Sequence, residues 1–468
     1  MTERMKRRAR TMKHFSQTLT IALMALTATL LSACGSDSAG GGRLDLRAPI
    51  DDAPTGDLTL SPARASSEYA PVLADCARPF NRGGDNEFDA CSLGRLPLLG
   101  QEHDQVTVDD VLDRTLVSHD WMANRFEQAL TALPDDLLQL FSGVTAVVIG
   151  ADIRPSYYWL ATGSIYLDPA YLWLTIEERD TISREPDFRS GFDRELNFES
   201  LARFVKGGDY AWSSAPLSGP GDDRTLEQIL APMSALLFHE LAHANDYIPP
   251  AEHANLNSEW TVVEAAIQLE SDSVSATLAS TYPLSSTLMM DLAEVSFQGR
   301  DATEAEKQLT PQEVGLAFAG DIATDAYAYV SSGERELFFE DTAMLFEEAM
   351  MQHYFGITRE VAFTDRPEGD EVFCDDYIVR WGERGRAGNE QIRPRLALIL
   401  PLLLDHSDTE PYLASLPESE PMTNNLGWCA NLSPTAMGLH TEREGQWREP
   451  LPVQDQRHGP GHPHSSFH

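Results

Sequence analysis

His239, Glu240 and His243 stand in the string Leu236-Leu-Phe-His239-Glu240-Leu-Ala-His243-Ala-Asn-Asp246. Its apolar, helix-forming setting predicts a helix over 226–247, and residues four apart on a helix share a face. Both imidazoles then reach one divalent ion, at about 2.0–2.1 Å each. Glu240, on the same turn, can take a proton from a water acidified by that ion and pass it to a leaving amine. Leu236, Leu237, Phe238 and Leu241 put this helix in a core, where ionisable groups need a partner. Buried, hydrogen-bonded side chains are the bland alternative; an ion satisfies all three groups at once.

Two histidines leave a zinc site incomplete, since such a site takes a third protein ligand and keeps a fourth position for water. Glu340 is the first candidate. It lies in Glu334-Arg-Glu-Leu-Phe-Phe-Glu340-Asp341-Thr-Ala-Met-Leu-Phe-Glu347, part of a helix expected over 334–355 and apolar around most of its circumference. A carboxylate inside such a helix asks for the compensation that a metal supplies. Glu264 and Glu270, on the helix expected over 259–280, are the other candidates.

This H-E-x-x-H helix resembles that of zincin-like zinc metallopeptidases. The metzincin extension is absent, because Asp246 and Pro249 stand where that group places its Gly and third His. A later Glu, as in the gluzincins, is what the resemblance implies. Around Glu340 the E-D-x-A turn is similar to the third-ligand helix of several such families, with Met344 where they carry a second Glu. Glu264 falls near the spacing of thermolysin-like gluzincins, with Gln268 in place of their Asp, and Glu270 would serve at a longer spacing. The string from His239 to Asp246 also looks like the H-E-x-A-H-x-x-D of Mlc-titration-factor-like peptidases, a likeness confined to that string and the Glu340 helix.

The resemblance implies zinc-dependent hydrolysis of peptide bonds, with His239, His243 and Glu340 as ligands and Glu240 as base. Asp246 or Asp341 would hold a ligand imidazole in its tautomer. An extended substrate would lie along an edge strand, for which 157–169 is the candidate, and Tyr327, Tyr329 or His353 would donate to the oxyanion. Two rivals remain: a non-catalytic zinc-binding envelope lipoprotein acting as a binding or scaffold module, and a closed structural metal site. Glu240 beside both histidines favours catalysis, because metal binding alone needs no base.

The elements that must position these residues read as an α+β domain, mainly helical with a small mixed sheet, over 70–431. Helical spacing of Trp121, Phe126, Leu130 and Leu137 predicts a helix within 109–140. A β-branched run at 144–149 between Gly143 and Gly150 predicts a buried strand, and 156–160 and 164–168 two more. A Gly/Ser/Pro-rich loop spans 207–223, and Pro249-Pro250 stops the helix that follows it. Further helices are expected over 303–308, 311–319 and 393–404. No internal repeat is present, which argues against solenoids and propellers.

The ends speak to location. Arg4, Lys6, Arg7, Arg8, Arg10 and Lys13 precede an apolar stretch, 19–31, too short for a comfortable membrane span. Leu31-Ser-Ala-Cys34-Gly resembles a bacterial lipobox, which implies a signal peptide over 1–33, acylation of Cys34 and an outer-membrane, lipid-anchored protein of the cell envelope. A Gly/Ser-rich linker, 34–69, follows, and the Pro/His-rich tail, 432–468, cannot bury a core. The remaining cysteines are Cys76, Cys91, Cys374 and Cys429; three pairings can be drawn, and proximity favours Cys76 with Cys91 and Cys374 with Cys429. A formal charge of −38, from 73 acidic and 35 basic residues, repels nucleic acid and anionic headgroups. The expected partner is a peptide or protein substrate, with the membrane touched only through the lipid.

Overall fold

The computed structural model describes residues 59–77, 90–183, 189, 191–212, 223–331, 337–369, 372–405 and 408–432. Cys34 with its signal and the linker as far as residue 58, most of the 207–223 loop, the start of the helix expected from 334, and the tail from 433 lie outside these residues.

Among the described residues, two five-stranded sheets share the work with helices. The first has the order β1-β2-β3-β5-β4, from β1 (Ser61–Pro62), β2 (Thr115–Val117), β3 (Val147–Ile149), β4 (Tyr157–Trp159) and β5 (Ser164–Leu167). It is mixed: β2, β3 and β5 run parallel, with Val148 opposite Tyr166, while β1 and β4 close the two edges antiparallel. The second sheet is antiparallel throughout, in the order β10-β9-β8-β6-β7, from β6 (Phe198–Lys206), β7 (Asp209–Tyr210), β8 (Thr358–Asp365), β9 (Val379–Arg384) and β10 (Glu420–Pro421). A mixed helix-and-sheet architecture is therefore present, with one sheet more than the sequence led us to expect.

The helices include α1 (Val108–Asp113), α2 (Asp120–Ala132), α3 (Asp135–Leu140), α4 (Leu226–Tyr247), α5 (Val262–Gln268), α6 (Val274–Thr281), α7 (Thr287–Gln298), α8 (Pro311–Ala319), α9 (Phe339–Phe355) and α10 (Arg393–Leu404). Sequence spacing predicted one helix within 109–140, where three form. Thr115-Leu-Val117 leaves the helical path because its β-branched residues pair with β3, and Pro134 starts a new helix. The helix expected over 259–280 is likewise divided, into α5, a 3-10 turn at Glu270–Asp272, and α6.

Helix α4 begins with a reciprocal capping box, the Thr225 side chain accepting from the Gln228 N–H while Gln228 accepts from that of Thr225. Every residue from Met233 to Asp246 is buried, as expected of a helix that is apolar all round. It packs along α9, buried from Glu340 to Met351, and against β4. A Cβ on Gly143 would come within 2.9 Å of Asn245, so the bare backbone there lets α4 approach. A second apolar cluster lies between α7, α8, the Ala326–Tyr329 turn and the antiparallel sheet. Disulfides join Cys76 to Cys91 and Cys374 to Cys429, the pairing that proximity favoured.

Candidate metal centre

Helix α4 presents His239 and His243 side by side, with ring centroids 5.0 Å apart. Helix α9 brings Glu340 to both in its first turn, where the helix dipole favours a carboxylate. One Glu340 oxygen, Oε2, lies 3.1 Å from Nε2 of His239 and 3.5 Å from Nε2 of His243. An ion bonded tetrahedrally at 2.0–2.1 Å spaces its ligand atoms by roughly 3.3 Å, so this donor set fits one. Among the described residues, His239, His243 and Glu340 form a group that could hold a metal ion.

Glu347 completes the arrangement, its Oε2 lying 3.0 Å from Nδ1 of His239. It is fully buried and follows Glu340 by two helical turns on the same face. Glu347 carried no assigned role in the sequence reading, although its seven-residue offset from Glu340 on an apolar helix was the available signal. Burial pulls the His239 imidazole down, but hydrogen bonds to Glu340 and Glu347 outweigh it and raise it to about 10. His243 is lowered by burial against the pull of Glu340.

Glu240 is wholly buried, and burial pushes its carboxyl well above the usual range, against the charge on His239. Helix α4 packs there against β4, the strand at one edge of the mixed sheet, with the Tyr158 backbone near the Glu240 carboxyl.

The other candidates have different places. Glu264 is exposed and caps its own helix, accepting from the Thr261 N–H at 2.8 Å. Glu270 lies in the 3-10 turn between α5 and α6. Asp246 and Asp341, which the resemblance set beside a ligand imidazole, have other partners. Asp246 accepts from the backbone N–H and the hydroxyl of Ser275, at 2.7 and 2.6 Å, and so ties α4 to the start of α6. Asp341 forms a buried ion pair with Arg395 of α10, 3.1 Å from Oδ1 to Nη1. Of the three oxyanion candidates, Tyr327 has its ring 6.4 Å from that of His239. Tyr329 packs edge-on against Phe318, and His353 lies near the far end of α9 between Tyr354 and Tyr412.

No protein-family model, no curated protein and no solved structure matches this chain.

Proposed function

We propose that the chain is a zinc-dependent peptidase of the cell envelope. The observation that supports this most is the joint placement of Glu240: one turn of α4 carries it beside two imidazoles that share a carboxylate, and the backbone of an edge strand meets it from the other side. The donors, two imidazole nitrogens and one carboxylate, suit zinc and leave a position for water.

Bound there, zinc would polarise the substrate carbonyl and make the attacking water more acidic. The chain's own residues do the rest. Glu240 accepts the proton that water loses on adding to the carbonyl carbon, then gives it to the amine as the C–N bond breaks. Strand β4 can take an extended peptide by main-chain pairing, while among the described residues the other three sheet edges, β1, β7 and β10, are only two residues long. Glu347 holds Nδ1 of His239 and so aims Nε2 at the ion. Location belongs to the same proposal: Cys34 would carry the lipid, and among the described residues no helix is long and apolar enough to cross a membrane. Cys34→Ser should then move the protein from the membrane fraction to the soluble one.

Burial favours a second reading. His239 and Glu240 are 0 % exposed and His243 5 %, and a closed site is what a structural metal asks for. One experiment separates the two. Purified protein should bind one zinc and cleave members of a peptide library, and Glu240→Gln should keep the zinc and lose the cleavage. Zinc uptake with no cleavage by the unaltered protein would leave the structural reading; refusal of zinc would end both.

A further inference from the structure

Glu240, His243 and Tyr247 follow one another on α4 at intervals of three and four, so they share a face. Tyr158 of β4 meets both ends of that face. Its backbone reaches Glu240, and its ring stacks on Tyr247 with centroids 6.0 Å apart and planes at 25°. Tyr247 itself stands one turn beyond His243 on that face. From α9, Phe339 directly precedes Glu340 and stacks on Tyr247 at 4.3 Å and 28°. Each of the three elements that build the site thus adds one aromatic ring to a single row.

That row borders the ligands with some remaining exposure. The side chains of His243 and Glu340 are 6 % and 10 % exposed, against 0 % for His239. Tyr247 and Phe339 are themselves half-buried. The hydroxyl of Tyr158 is buried and has no hydrogen-bond partner among the described residues, an arrangement that costs stability unless a ligand supplies the partner.

We infer that Tyr158, Tyr247 and Phe339 form a substrate subsite that seats a bulky apolar side chain next to the scissile bond, with the Tyr158 hydroxyl donating to a substrate carbonyl. This rests on the peptidase reading and names the substrate it takes: a peptide with an aromatic or large aliphatic residue flanking the cleaved bond. A face built of rings gives an acidic side chain no counter-charge, and the net charge of −38 repels one.

Hydroxamates test this without turnover, because they bind through the metal. The zinc-loaded protein is titrated with two of them, one bearing a benzyl arm and one a methyl group. The benzyl compound should bind about 30-fold more tightly, the worth of burying one ring. Phe339→Ala should bring that ratio to near 3-fold or less while methyl hydroxamate affinity stays the same. If that variant folds poorly by circular dichroism, Phe339→Ser and Tyr247→Ser replace it. Tyr158→Phe should weaken a peptidyl hydroxamate roughly 10-fold, the worth of one hydrogen bond, without lowering the melting temperature. Equal affinity for both compounds, or a ratio that survives these substitutions, overturns the subsite. A ratio that behaves as stated in a protein that cleaves no peptide overturns the peptidase reading and keeps the subsite; cleavage with no apolar preference does the reverse. Refusal of zinc sinks both.

Discussion

Glu347 lies 3.0 Å from Nδ1 of His239, and Glu340, two turns earlier on the same helix, faces Nε2 of that ring at 3.1 Å. One helix therefore grips both nitrogens of a histidine on another. With a metal bound, Nδ1 is left to donate to Glu347 while Nε2 points its lone pair at the ion, which fixes the tautomer.

Glu347→Gln keeps the side chain's length but replaces a charged acceptor by a neutral one. Metal affinity should fall by about 10- to 100-fold, as is common when the carboxylate behind a ligand histidine is lost. Competition with a chromogenic chelator reads this directly. Unchanged affinity would mean that packing alone orients His239.

The identity of the third ligand is open to a paired substitution. Glu340→Gln removes the charged oxygen that both imidazoles share and should abolish stoichiometric metal binding, since two histidines alone make a poor site. Glu264→Gln should leave metal binding intact and cost at most about 1 kcal/mol of stability, because that side chain closes a capping box with Thr261. Metal content by elemental analysis decides; the opposite pattern would move the site to α5.

Helix α4 was legible in the sequence because every local signal agreed. Thr225 and Gln228 cap it, its apolar residues run all round, and Pro249-Pro250 ends it. Helix α8 was legible for the same reason, with Pro311 at its first position after a Thr310 cap. The antiparallel sheet was not. Strands β6 and β8 carry Glu199, Arg203, Arg359 and Glu360 at buried positions, which hides the alternation by which a strand is recognised. Those charges are tolerated because Glu360 pairs across the sheet with Arg203 and Arg384, and Arg359 with Asp325 at 2.9 Å, partners that no local spacing reveals. The same holds at the site. The two histidines and the glutamate between them are local and readable, whereas the partners of Asp246 and Asp341 lie on helices that only the fold brings near.

The first turn of α9 carries Glu340, yet its N-cap residue, Phe338, makes no side-chain cap. Arg395 holds that turn instead, pairing with Asp341 and donating to the Ile322 carbonyl at 2.7 Å. Arg395→Met should destabilise the fold by about 3–5 kcal/mol, because Asp341 is left charged and buried without its partner. Adding Asp341→Leu should recover most of that loss, since removing both charges of a buried pair is often close to neutral. Chemical denaturation measures both, and a double variant no more stable than the single would show that the ion pair is not the source of the loss.

His253 gives the fold an acid-sensitive point outside the candidate metal centre. Its Nε2 donates to the Ile248 carbonyl at 3.1 Å, and a Cβ on Gly100 would stand 2.3 Å from its Nδ1, so glycine there makes room for the ring. Burial pushes the imidazole down to about 4, outweighing the hydrogen bond and the charge of Asp405. The folded value lies below the unfolded one of about 6.5, so between these values the unfolded chain binds a proton that the folded chain refuses. Stability from this group is complete above pH 6.5 and is lost as pH falls toward 4, by roughly 3 kcal/mol. Asp246 works in the opposite sense: burial raises it to about 7, so protonating it in the folded state offsets part of that loss. Comparing His253→Gln with the unaltered protein isolates the histidine, because the shared groups cancel. The variant should be the less stable at pH 7.5 and should gain on the unaltered protein as the pH is lowered to 4.5. A stability difference that stays constant across that range would show that His253 titrates normally in the fold.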